Sequence, residues 1–351
     1  MKKRLVIGNA TIDGILDKEV FVEVREHNVV LRYKNSEIEI PVERGPIKAG
    51  GKYTAARSFC EEVQKFPKTE QFGGGGYLSA VLLRKISDAQ IYYLDISTPS
   101  LDTAVPGTSL ANKLQSMNIH PYFLGARPVP FNIVLGERAD KIIIKSPLGN
   151  TTFGEYHSYL VNALINGCQG ILFNSLKDHP LVELAVNGAK GKTLVAVVTN
   201  SLDPDFVLER VIPFGVCQFN YDEFGYVVNP DHKVIGDEET RVESAFEGIK
   251  RIRADYNKKD NVYVTLGRNG VLCADSSGIH HVRLKEGVLE RIQPIVNANP
   301  ASNCGAGDAH AASVFNGELS RLPVTDIAQR ACITAVRYLG YDGKLSQADF
   351  A

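Results

Sequence analysis

Neither acidic nor basic residues are in excess in this 351-residue chain: 39 Lys and Arg stand against 40 Asp and Glu, a formal net charge of −1. No overall field draws such a chain to nucleic acid or to an anionic membrane, so neither partner is expected, although a local basic patch stays open. Paired cysteines are missing as well. Cys60, Cys168, Cys217, Cys273, Cys304 and Cys332 are scattered, with no C-x-x-C pair and no Cys/His cluster at zinc spacing. That pattern fits reduced thiols in a cytosolic protein. Long hydrophobic runs are also absent. "MKKRLVIGNATID" begins as a signal peptide would, but its apolar run stops at Gly8 and it reads as a first strand. No later segment approaches a membrane span, and no internal repeat or low-complexity linker interrupts the chain.

What is present is a succession of β and α signals. "RLVIG" is a short continuous apolar run ending in Gly, the pattern of a strand buried on both faces of a parallel sheet. The next stretch alternates instead. In "VFVEV", "VVLRYK" and "EIEIPV" the residues Val20, Val22 and Val24, then Leu31 and Tyr33, then Ile38, Ile40 and Val42 each fall on one face. This predicts a meander of half-exposed strands turning near His27-Asn28 and Asn35-Ser36. From Gly73 onward, "GGGGYLSAVLLRKI" is a glycine turn entering a helix, and helix–strand alternation continues to the final helices. Repeated β-α units predict a Rossmann-like α/β fold, a parallel sheet with helices on both faces in three layers, plus a small β-sheet lid. The main domain is placed at residues 1–15 and 46–351, the inserted lid at 16–45, with a second lid strand pair at about 129–145.

Near the C-terminus, "SNCGAGDAH" sets Gly-Ala-Gly directly before Asp308 and runs into a helix starting near Ala306 or Gly307. Glycines permit close backbone approach, and a helix N-terminus presents several N–H groups to an anion. Taken alone, the same residues fit a tight turn in which Asp308 only complements the helix dipole. Other candidates carry similar pairs of readings. Asp13 could close an Asx turn or hold a ligand at the sheet's C-terminal rim. Asn220 and Glu223 could be solvated loop and helix residues, the Gly73–Gly76 run a linker, and "TLGRNG" a plain hairpin turn.

These segments, in this order, resemble the ribokinase-type, or phosphofructokinase-B-type, carbohydrate kinases. "GAGDAHAASVFNGEL" resembles the C-terminal signature of that family, "GGGGYLSAVLLRKI" its N-terminal signature, "NYDE" its N-x-x-E motif, and "VIGNATID" its first strand. The resemblance implies that Gly305, Ala306 and Gly307 form an anion hole beside the catalytic base Asp308, and that Asn9, Asp13, Gly73 and Gly74 bind the substrate. It implies that Asn200, Asn220, Thr265, Gly267 and Gly270 serve ATP and that Glu223 organises Mg²⁺. The activity implied is phosphorylation of a hydroxyl, most simply a primary CH₂OH, on a small sugar or polyol. A nucleoside kinase and a non-catalytic sensor of the same fold are the alternatives.

The chain departs from the family pattern in places. Ser302-Asn303-Cys304 replaces the usual triplet before GAGD, which leaves an adjacent monovalent-cation site open. Leu78 stands where the N-terminal signature has Asn, and His310 where Phe is common. Gly75 takes the position of the Lys typical of the sugar-phosphate branches, so the resemblance implies an unphosphorylated acceptor. An apolar lid face left uncovered would pair two lids in a homodimer.

Overall fold

The computed structural model describes residues 2–17, 19–44, 52–56, 59–98, 109–135, 142–145, 154–174, 179–198, 203–229, 238–256, 260–298, 305–341 and 343–351. The chain opens with β1 (Lys3–Gly8) and β2 (Thr11–Leu16), continues through β3 (Phe21–Val24), β4 (Asn28–Tyr33), β5 (Ser36–Arg44) and β6 (Lys52–Ala55), and reaches β7 (Lys68–Gly73). Then come β8 (Gln90–Thr98), β9 (Ile119–Pro128), β10 (Phe131–Leu135) and β11 (Ile142–Lys145). The remainder supplies β12 (Gly170–Asn174), β13 (Thr193–Val197), β14 (Val216–Asn220), β15 (Val262–Thr265), β16 (Val271–Asp275) and β17 (Gly278–Val282).

Nine strands form the main sheet in the order β17-β16-β15-β14-β13-β12-β1-β8-β9. From β15 to β9 every neighbouring pair is parallel, and β16 and β17 add an antiparallel edge. Period-2 alternation explains why both faces are covered. Leu5 and Ile7 of β1 enter one apolar cluster together with helices Glu155–Gly167 and His179–Gly188. Val6 enters the other, with helices Gly75–Ile86 and Ala306–Leu319. This is the three-layer α/β arrangement that the repeated β-α units predict. The chain leaves β1 toward β8 on one side and later returns to β12 on the other, which makes β1/β12 the topological switch point.

The second sheet has eight strands, in the order β3-β4-β5-β6-β11-β10-β2-β7. It combines β3, β4 and β5, over residues 16–45, with β10 and β11, near residues 129–145, and it also takes in β2, β6 and β7. Asp13 accordingly lies inside β2, in register with Gln71 and Asn132, and not at the end of the first strand. The chain passes from one sheet to the other through Asn9 and Ala10 alone, too short an interval for a turn signal to announce. Val20, Leu31, Ile40 and Val42 are buried within the chain's own core, whereas Val24 on the same face is 40% exposed. The opposite face carries Glu23, Arg32, Glu37 and Glu39 around the buried Val30. There Arg32 pairs with Glu23 at 2.9 Å and with Glu37, Arg25 pairs with Glu23 at 2.8 Å, and Glu23 is held down to about 2 by its hydrogen bonds to these two arginines.

Among the described residues the cysteines are free thiols, and no helix is long and apolar enough to cross a membrane.

Candidate active site

Parallel strands end at a common rim, and in open α/β sheets the crevice there is where ligands bind. Gly8 and Asn174 are register partners at the C-terminal ends of β1 and β12. Asn220 and Thr265 are partners at the ends of β14 and β15. Two helices meet this rim with their N-termini, Gly75–Ile86 and Ala306–Leu319.

Gly305 caps the second of these helices at φ 111, and a Cβ there would lie 2.6 Å from the Tyr338 hydroxyl oxygen and 2.9 Å from Leu78. Only glycine fits both the backbone angle and the space. Ala306, Gly307 and Asp308 occupy the first turn, where N–H groups have no acceptor within the helix. Gly307 is exposed, and a Cβ on it would meet nothing within 4 Å. Asp308 Oδ1 accepts a hydrogen bond from Asn174 Nδ2 at 2.8 Å. The backbone oxygen of Gly307 accepts from Gln218 Nε2 at 3.1 Å, and Gln218 Oε1 faces His310 Nδ1 at 3.0 Å. Burial pushes the His310 imidazole down to about 4, so the ring is neutral at physiological pH.

The glycine turn before the other helix brings Asp13 to the same place. A Cβ on Gly73 would stand 2.0 Å from Asp13 Oδ2, and one on Gly74, at φ 88, would stand 2.5 Å from the Asn9 carbonyl oxygen. Asp13 is buried, and its Oδ1 accepts from Thr11 Oγ1 at 2.8 Å and from Asn132 Nδ2 at 2.9 Å. Asn9 Oδ1 is buried and has no hydrogen-bond partner among the described residues. Behind the crossover, the fully buried Asp95 accepts from the Ala10 N–H at 2.6 Å, from Tyr93 Oη at 2.5 Å and from the Ser97 N–H at 2.8 Å. Burial raises the Asp95 carboxyl above its ordinary value, against the lowering effect of these donors.

Asn9, Asp13, Gly73, Gly74 and the Gly305–Asp308 turn therefore surround one corner of the rim, linked through Asn174 and the glycine turn. Asn220 and Glu223 lie along the rim at β14 and form a capping box on helix Tyr221–Val228. Asn220 Oδ1 accepts from the Glu223 N–H at 2.8 Å, and Glu223 Oε2 from the Asn220 N–H at 3.5 Å. Glu223 is buried rather than solvated, whereas Asn220 is exposed. Thr265 spends its hydroxyl on the Phe219 carbonyl at 3.3 Å. At Gly270 a Cβ would strike the Val282 backbone oxygen at 2.1 Å, so the packing of β16 on β17 already requires glycine there. Gly267, at φ 64, faces open space. Asn200 and the Ser302-Asn303-Cys304 triplet lie outside the described residues.

Sequence reasoning missed Asn174, Ser79, Gln218, Asn132 and Asp95. Two of these, Gln218 and Asp95, are polar residues inside otherwise apolar parallel strands, in "VCQFN" and "YYLDIS", and that interruption was a readable signal.

No family model matches the chain, and no curated protein matches it in sequence. Solved structures do. The chain superposes on adenosine kinase from Schistosoma mansoni in complex with 2-fluoroadenosine with a TM-score of 0.66 at 16% identity, covering 99% of this chain and 98% of that one. Adenosine kinase from Anopheles gambiae, in complex with di(adenosine-5) tetraphosphate, gives 0.67 at 14% identity over 97% and 98%. Ribokinase from Cryptococcus neoformans, in complex with ADP, gives 0.64 at 15% identity over 96% and 93%. The chain has the ribokinase-like fold. Its two sheets and the helices on the main one match that fold over nearly the whole length of each neighbour.

Proposed function

We propose that the chain is an ATP-dependent kinase acting on a hydroxyl, most simply the primary CH₂OH, of a small unphosphorylated sugar or polyol. The observation that carries this reading is the meeting of Asp308, on the first turn of a helix capped by a left-handed glycine, with the Asp13–Gly73–Gly74 corner at the switch point of a ribokinase-like sheet. Asp13 accepts hydrogen bonds from hydroxyls of the acceptor and, with Asn9, orients it. Asp308 takes the proton of the reacting hydroxyl as the acceptor oxygen bonds to the γ-phosphorus and the bond to the β–γ bridging oxygen breaks, releasing ADP. The N–H groups of the Gly305–Gly307 turn hold the γ-phosphoryl oxygens through that change.

Phosphates of the nucleotide fit along the rim at Asn220, Thr265 and Gly267, with Gly270 shaping the turn beside them; the resemblance gives Asn200 the same role. A buried carboxylate engaged by the Asn220 N–H over 3.5 Å suits water-mediated Mg²⁺, so Glu223 is the residue that would organise it. Mg²⁺, when bound, neutralises charge on the phosphates. A dependence of turnover on K⁺ would add a monovalent cation to the set. The second sheet excludes water from the acceptor.

A nucleoside as acceptor is the second reading, favoured by the likeness to two adenosine kinases over nearly the full chain. The test is ADP release from Mg-ATP across neutral sugars, polyols and nucleosides. Turnover confined to one of those groups assigns the acceptor. Substrate-dependent ADP release from none of them, with nucleotide bound, would leave a sensor and defeat the kinase reading.

A further inference from the structure

One buried polar side chain at the switch point is unexplained by packing. Asn174 ends β12, whose five residues "GILFN" are all buried, and it is itself fully buried. An apolar side chain would fill such a position without the desolvation penalty of a carboxamide, which burial tolerates only when hydrogen-bonded. Its Nδ2 lies 2.8 Å from Asp308 Oδ1, 2.7 Å from Ser79 Oγ and 3.1 Å from the Gly75 carbonyl oxygen. Two hydrogens serve these three acceptors, and the carboxylate is the charged one, which makes it the strongest. Ser79, also fully buried, donates from Oγ to the Asp308 carbonyl oxygen at 3.4 Å. Side chain and backbone of Asp308 are thus tied, through one strand end, to the helix that begins at the glycine turn beside Asp13.

We propose that Asn174 is a positioning residue for phosphoryl transfer, fixing the Asp308 carboxylate toward the acceptor and setting the distance between the Gly305–Gly307 turn and the Gly73–Gly76 turn. The inference rests on Asp308 being the base. Asn174 itself neither takes a proton nor carries charge at any stage. Its effect depends on the carboxylate it orients, and this separates it from a residue that merely supports the fold.

A double-mutant cycle reads that dependence. Asn174→Ala in the wild-type background is expected to lower kcat by about 10²-fold, the scale of a misplaced reacting group, with the KM for ATP changed less than about twofold. In the Asp308→Asn background the same change is expected to lower the residual kcat by less than about twofold. Asn174→Ser, which keeps a donor, is expected to fall between Asn174→Ala and wild type, and serves in both backgrounds if the alanine variant does not fold. Equal fold losses in the two backgrounds, or an unchanged kcat in the first, would overturn the inference and leave the kinase reading standing. Wild-type protein that binds Mg-ATP but phosphorylates nothing would overturn both.

Discussion

His310 shows how far a single residue's surroundings fix its chemistry. Gln218 donates to the Gly307 carbonyl and so turns its own oxygen toward His310 Nδ1, while His310 Nε2 is buried without a partner among the described residues. The folded state binds this proton only near pH 4, whereas an unfolded histidine binds it near about pH 6.5. Between those values the unfolded chain carries the extra proton, so His310 makes stability fall as pH drops through that window. Denaturation midpoints measured from pH 7 to pH 4 are expected to fall less steeply for His310→Phe than for wild type; parallel curves would show that the ring titrates freely in the fold. Gly73 is constrained more tightly still. Gly73→Ala sets a methyl 2.0 Å from Asp13 Oδ2, and is expected to lower kcat/KM for the acceptor by about 10²-fold while the KM for ATP holds. At this scale GAGD, Asp13 and the glycine turn stood out only together, because each alone has an ordinary use and it is their order along the chain that resembles the kinase signatures. Asn174 was not, since an Asn at a strand end is common and its partner lies 134 residues away.

Elements were legible where their pattern was internally consistent. The apolar run of β1 and the helix after Gly74 follow from local sequence, as does the antiparallel meander of β3, β4 and β5. β2 was not legible as a strand of the second sheet, because the chain changes sheets within Asn9-Ala10 and "TIDGIL" shows no break. Asp95 receives the Ala10 N–H at that crossing, and Gly74 returns the chain beside Asn9 at φ 88. The two crossings form one junction between the sheets. Gly74→Ala is therefore expected to destabilise the protein by about 1–3 kcal/mol through backbone strain and overlap with the Asn9 carbonyl. Chemical denaturation would show it, and a variant as stable as wild type would mean that the junction yields without strain.

On the scale of the whole molecule, charge placement decides what kind of acceptor fits. Gly75 opens the helix at the glycine turn and brings no cation. Arg25 and Arg32, basic residues of the second sheet, are committed to Glu23, Glu37 and Glu39 on its charged outer face. Asp13 would repel a second anion held close to it. A phosphorylated acceptor would bury a dianion that needs a positive partner, and neither Gly75 nor these two arginines offers one. Neutral sugars or nucleosides are expected to give higher kcat/KM than fructose 1-phosphate, fructose 6-phosphate or tagatose 6-phosphate, and the reverse order would show that a cation reaches the site from elsewhere.

As the proposed base, Asp308 takes the proton of the acceptor hydroxyl while the γ-phosphoryl group passes to its oxygen. Phosphorus NMR of Mg-ATP incubated with the neutral acceptors follows that group directly. Wild type is expected to convert the γ-phosphate resonance into a new phosphomonoester on the acceptor, and Asp308→Asn to do so at least about 10²-fold more slowly while still binding ATP. The same phosphomonoester forming at a near-normal rate in Asp308→Asn would remove Asp308 as the base, and only inorganic phosphate appearing with wild type would mean that no acceptor hydroxyl is phosphorylated.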